Sequence, residues 1–84
     1  MISFIEGKIE HLGEKHVILN AGGIGYKVTL SPKLVNILAK STEVVNPIKI
    51  FIHSQLNMRE GTFDMYGFQN KEDLELFHLV TTVS

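Results

Sequence analysis

Ile48-Lys49-Ile50-Phe51-Ile52-His53-Ser54-Gln55-Leu56-Asn57-Met58-Arg59-Glu60-Gly61-Thr62-Phe63-Asp64-Met65-Tyr66-Gly67-Phe68 is the stretch on which the fold turns. Ile48, Ile50 and Ile52 alternate with Lys49, Phe51 and His53, the period of two expected of a strand with one buried face. After a break, Phe63 and Met65 alternate with Thr62, Asp64 and Tyr66, so a second strand follows. Between them lies the short charged segment Arg59-Glu60-Gly61, whose glycine can supply the positive φ of a tight hairpin. Physics alone makes such a tip a solvated turn.

The chain before the hairpin reads as three more strands and a helix. Ile2 to Leu12 is the first strand, with a bend expected at Gly7 because glycine inside a strand marks bulges and sharp curls. Ser3, Ile5, Gly7 and Ile9 share one face, and Phe4, Glu6, Lys8 and Glu10 the other. Gly13-Glu14-Lys15 is a turn, His16 to Asn20 a β-branched second strand, and Tyr26 to Leu30 a third. The intervening Gly22-Gly23-Ile24-Gly25 is rich enough in glycine to suggest a phosphate cradle. Such a site needs a helix directly after it. A strand follows instead, so the segment reads as a turn. Ser31-Pro32 opens a short helix, with serine as cap and proline at the first helical position. Leu34, Ile37 and Leu38 are its expected inner face. Ser41 to Pro47 is a connection.

After the hairpin, Asn70 caps a last helix with Glu72 and Asp73 in its first turn, where they complement the helix dipole. Leu76, Phe77, Val80 and Val83 form its expected apolar stripe. No glycine or proline stops it before Ser84, as in a chain cut within a longer protein.

Eighty-four residues suffice for one small domain, which buries only about 60–65% of its unfolded surface and gains from oligomerisation. The absence of cysteine removes disulfides and thiolate metal sites and agrees with a cytoplasmic location. Met1 to Ile5 is followed by Glu6, so neither a signal peptide nor a membrane span is expected. Eight Lys and Arg against nine Asp and Glu give a net charge of −1. A self-sufficient DNA binder would carry a basic surplus. His11, His16, His53 and His78 lack metal-site spacing, and neither a nucleophile elbow nor a carboxylate pair is recognisable. A non-catalytic chain without metal or cofactor is expected.

Five strands with a short helix between the third and fourth follow the order of an OB-fold, a small Greek-key barrel. The expected organisation is a mainly β barrel over residues 1–68 and a C-terminal helix over 69–84. Some barrels of this kind bind single strands by aromatic stacking. Phe4, Tyr26, Phe51, Phe63, Tyr66 and Phe68 are the available rings, although most stand where a core or a subunit contact would want them. A plain oligomerisation or protein-interaction module is the other alternative.

Gly22-Gly23-Ile24-Gly25-Tyr26, Arg59-Glu60-Gly61, Met65-Tyr66-Gly67-Phe68 and Leu76-Phe77 stand in the order of corresponding segments in RuvA. RuvA is the junction-binding subunit of the bacterial Holliday-junction branch-migration machine, and the chain resembles its N-terminal domain along nearly its whole length. The resemblance implies a role in DNA recombination and repair within the SOS response to DNA damage. It also implies a homotetramer around a fourfold axis, with four-way junction DNA as ligand. The RuvB motor, and as a further candidate the RuvC resolvase, would be partners through regions absent from this chain. The ATPase would be RuvB.

In that family two acidic residues form a pin at the hairpin tip. Glu60 matches the first, Gly61 replaces the second, and Arg59 stands beside them. Asp64 lies along the strand and does not substitute. A helix-hairpin-helix turn would follow Ser84. Without it the chain alone is expected to bind DNA weakly.

Overall fold

The computed structural model describes residues 3–40 and 47–82. Its elements are β1 (Phe4–Leu12), β2 (His16–Ala21), β3 (Ile24–Leu30), α1 (Pro32–Lys40), β4 (Ile48–Asn57), β5 (Thr62–Phe68) and α2 (Lys71–Thr82). The strands close into a barrel in the order β1-β2-β3-β5-β4, with β4 returning to β1. All pairings are antiparallel except β3 with β5, where Thr29 faces Tyr66 and Leu30 faces Gly67. A closed mainly β barrel with a helix between β3 and β4 is consistent with an OB-fold.

Alternation in the sequence becomes the inside of the barrel. Ile5, Val17, Leu19, Val28, Leu30, Ile50 and Ile52 are buried there, and α1 adds Leu34 and Val35 to the same cluster. Each fully buried aliphatic side chain is worth about 1.5–3 kcal/mol of transfer free energy. β5 supplies little volume of its own: Met65 is partly buried, and Gly67, paired with Leu30 of β3 and Ile52 of β4, leaves room for the side chains of Val28, Leu30 and Ile50.

Turn chemistry closes the hairpins. Gly22 and Gly23 both have positive φ, 63° and 86°, as a two-residue turn of type I′ requires. Asn20 Oδ1 accepts the Gly23 N–H at 3.0 Å. The register of β1 on β2 breaks between Ile9 and His11, so the bulged residue is Glu10 rather than Gly7. Gly7 serves close approach instead, because a Cβ there would stand 2.6 Å from the Asn20 carbonyl oxygen.

The helices correct two expectations. The Ser31 cap is present, with Leu34 N–H donated to Ser31 Oγ at 3.2 Å. On α1, however, Val35 is buried and Ile37 is exposed, so the inner face is rotated by part of a turn. On α2, Leu74 is buried and Phe77 and His78 are half-buried, whereas Leu76 and Val80 are exposed. That contact face is an i, i+3, i+4 set on β4 and β5. Val83 and positions 41–46 lie outside the described residues. No helix among the described residues is long and apolar enough to cross a membrane.

Candidate nucleic-acid interface at the β4–β5 tip

β4 and β5 stay paired from Phe51 with Phe68 out to Asn57 with Thr62. The base of this ladder belongs to the barrel, where Ile52 faces Gly67. Farther out, Leu56 faces Phe63, and these two are 60% and 55% exposed. The hairpin therefore runs past the barrel core, and its outer half presents an apolar cross-strand pair to solvent.

Met58, Arg59, Glu60 and Gly61 make the tip, and all four are exposed. Its conformation is set from Asn57. The Asn57 Oδ1 accepts the N–H of Arg59 and of Glu60, each at 3.1 Å, and the Asn57 carbonyl accepts the Gly61 N–H at 2.8 Å. Gly61 then turns the chain back into β5 with φ 69°. Three hydrogen bonds to one residue and one left-handed glycine hold a four-residue loop in a defined shape. Arg59 and Glu60, consecutive in the chain, are thus exposed to solvent at the end of a projecting element whose backbone is held in place.

The structure brings Arg59, Glu60 and Gly61 together at this tip and leaves Asp64 on the strand opposite Gln55. Asn57 was not singled out by sequence reasoning. The signal was available: an asparagine before a short loop that ends in glycine caps backbone N–H groups in the same manner as a helix N-cap.

The histidines, scattered in sequence, meet in two pairs. His11 and His16 have ring centroids 5.6 Å apart across the β1–β2 turn, and His53 and His78 are 4.8 Å apart across the β4–α2 contact. Among the described residues no group of three or more His, Cys, Asp or Glu side chains converges as a metal site would. An open apolar groove of about 590 Å³ lies between α2 and the barrel, walled by Tyr66, Phe68, Leu76 and Val80.

Residues 1–67, the barrel with its β4–β5 hairpin up to but not including the last residue of β5, match the family described as the RuvA N terminal domain. The chain belongs to that family. Relatives align over all 84 residues, each carrying the name Holliday junction branch migration complex subunit RuvA. Those of Wolbachia from Brugia malayi and of Clostridium beijerinckii are 34% identical, and that of Ehrlichia ruminantium 31%. The chain spans 41%, 40% and 41% of the Wolbachia, Clostridium and Ehrlichia RuvA proteins respectively. The RuvA family match takes in both the Gly22-Gly23 turn, with Ile24 and Gly25 already in β3, and the Arg59-Glu60-Gly61 tip, while α2 lies beyond it.

Proposed function

We propose that this chain is the central barrel of a Holliday junction-binding subunit, and that its β4–β5 tip guides strand separation at the crossover. The observation that carries this reading is Glu60, exposed at a projecting tip whose backbone Asn57 holds, on a barrel of the RuvA N-terminal family. In this reading residues 1–68 are the barrel, and residues 69–84 lead toward a helix-hairpin-helix region of a longer, tetrameric protein. RuvB would supply ATP-driven motion through other regions, and RuvC is a further candidate partner.

The mechanism is electrostatic. A carboxylate near the crossover repels phosphate and so disfavours continuous duplex, while Arg59 beside it attracts phosphate and steers a separated strand. Two unit charges about 6 Å apart interact by roughly 0.7 kcal/mol in water and about 3 kcal/mol at an effective dielectric near 20. One Glu60 biases geometry, and four around an axis would add to that bias. No bond is made or broken by the tip. The net charge of −1 supports a reading in which the main grip on DNA belongs to other regions of a longer protein.

A chimera in which this chain replaces the matching part of the Clostridium beijerinckii RuvA tests the reading. Glu60→Gln is expected to narrow the preference for four-way junction over duplex, while total DNA affinity holds or rises. Gly61→Asp adds a second carboxylate and should widen that preference, at a cost of about 1 kcal/mol for a side chain at positive φ. Side-by-side gel-shift titrations at fixed salt read both. Unchanged relative affinity in both folded variants would reduce the tip to a solvated turn.

A further inference from the structure

We propose that His53 and His78 form a proton-sensitive latch: α2 is docked on the outer face of the β4–β5 hairpin while both imidazoles are neutral, and protonation releases it. The two rings meet edge to face, with centroids 4.8 Å apart. His53 projects from β4 opposite Tyr66 of β5, and Phe77 of α2 packs on both, 4.9 Å from His53 and 5.8 Å from Tyr66. Phe68 completes the cluster at 5.0 Å from Phe77. This small aromatic seam lies between α2 and the β4–β5 pair, with the buried Leu74 on the same helix. Leu76, Leu79 and Val80 are 60%, 63% and 67% exposed and add little burial against the barrel. Among the described residues few side chains bury this helix against the strands, so charge appearing inside the seam weakens its docking.

The neighbouring groups support that direction. Burial first, and then the charge of His78, lower the His53 pKa from the ordinary 6.5, against a hydrogen bond that His53 donates to the Gln55 side chain, which raises it. Neutral imidazole is therefore favoured while the helix is docked. Docking is complete above about pH 6.5 and weakens as the pH falls through that value. On β5, Tyr66 faces His53 and Asp64 lies farther out opposite Gln55. On β4, Lys49 shares the outer face, with Nζ 4.3 Å from the Phe4 ring centroid and Glu6 opposite on β1. On α2, Glu75 precedes His78 by about one turn and is paired with Lys71 at 4.0 Å, while Glu72 and Asp73 occupy the first turn. With all of these in place, His53 is still shifted downward.

Amide hydrogen exchange on the 84-residue chain, read by NMR at about pH 7.5 and about pH 5.5, tests the latch. Protection factors, corrected for intrinsic exchange, should fall several-fold more in α2 than in β1–β3 at the lower pH, because lowering the His53 pKa in the docked state ties docking to the neutral ring. His53→Phe and His78→Phe keep an aromatic ring in the seam and should each remove most of that helix-specific loss. Equal changes in helix and barrel, or the same helix-specific loss in both variants, would overturn the proposal. Should either variant fail to fold, the imidazole titration of His53 in the unaltered chain decides. A midpoint below the ordinary value that rises when α2 is detached by mild denaturant supports the latch, and an ordinary midpoint refutes it.

Discussion

A single methyl group at position 67 should cost this barrel more than most surface deletions. A Cβ built on Gly67 would stand 2.6 Å from Leu30 Cδ2 and 2.7 Å from both Ile50 Cγ2 and Val28 Cγ1. Ordinary carbon–carbon contact is about 3.5–4.0 Å. Leu30 can swing its terminus. Val28 and Ile50 are β-branched, stiff at χ1 and almost completely buried, so they have nowhere to go without moving backbone. Overpacking of this kind costs about 1–3 kcal/mol, and three simultaneous clashes put Gly67→Ala at about 2–3 kcal/mol. In a domain of this size each kcal/mol moves Tm by about 4–8 °C, so a fall of about 10–20 °C is expected. Circular dichroism melts and urea titration with unchanged m would read it. Trimming the obstacle gives the internal control. Val28→Ala combined with Gly67→Ala should be less destabilising than the sum of the two by about 1 kcal/mol or more. A Tm within about 2 °C of the parent, or additivity within about 0.5 kcal/mol, would refute the close-packing account of this glycine.

Asn57→Ala removes the side-chain acceptor for Arg59 N–H and Glu60 N–H. Solvent can replace it, so a loss of about 0.5–1.5 kcal/mol in urea titration is expected, with faster amide exchange confined to residues 58–61. Asn57→Asp keeps the acceptor and should restore tip protection. Asn70→Ala deletes the cap that accepts the Asp73 N–H at 2.8 Å, which should cost about 1 kcal/mol and fray the first turn of α2, visible as lost amide protection at Asp73.

Features governed by near neighbours in the chain were legible without coordinates. Alternation placed Ile5, Ile50 and Ile52 inside, Ser31-Pro32 and Asn70 marked where helices start, and paired glycines marked the β2–β3 turn. The tip at Arg59-Glu60-Gly61 was legible for the same reason, because a charged segment with glycine between two alternating runs has few other solutions. Asn57 was equally local, an asparagine before a short loop that ends in glycine, but the two N–H groups its side chain accepts are fixed only by the folded loop.

The sequence by itself determined which residues form strands, where the chain turns, and that a charged tip joins two half-apolar strands. These follow from side-chain period and backbone sterics over a few residues. The tertiary structure decided the rest. Barrel closure and the parallel pairing of Leu30 with Gly67 join segments far apart in the chain. The rotation of α1 that buries Val35 instead of Ile37 depends on where the barrel core lies. In α2, apolar residues occur around much of the helix, so its own pattern could not choose a contact face. The aromatic seam of His53, Tyr66 and Phe68 chose it, drawing in Leu74, Phe77 and His78, because docking is settled by the surface a helix meets as much as by the helix itself.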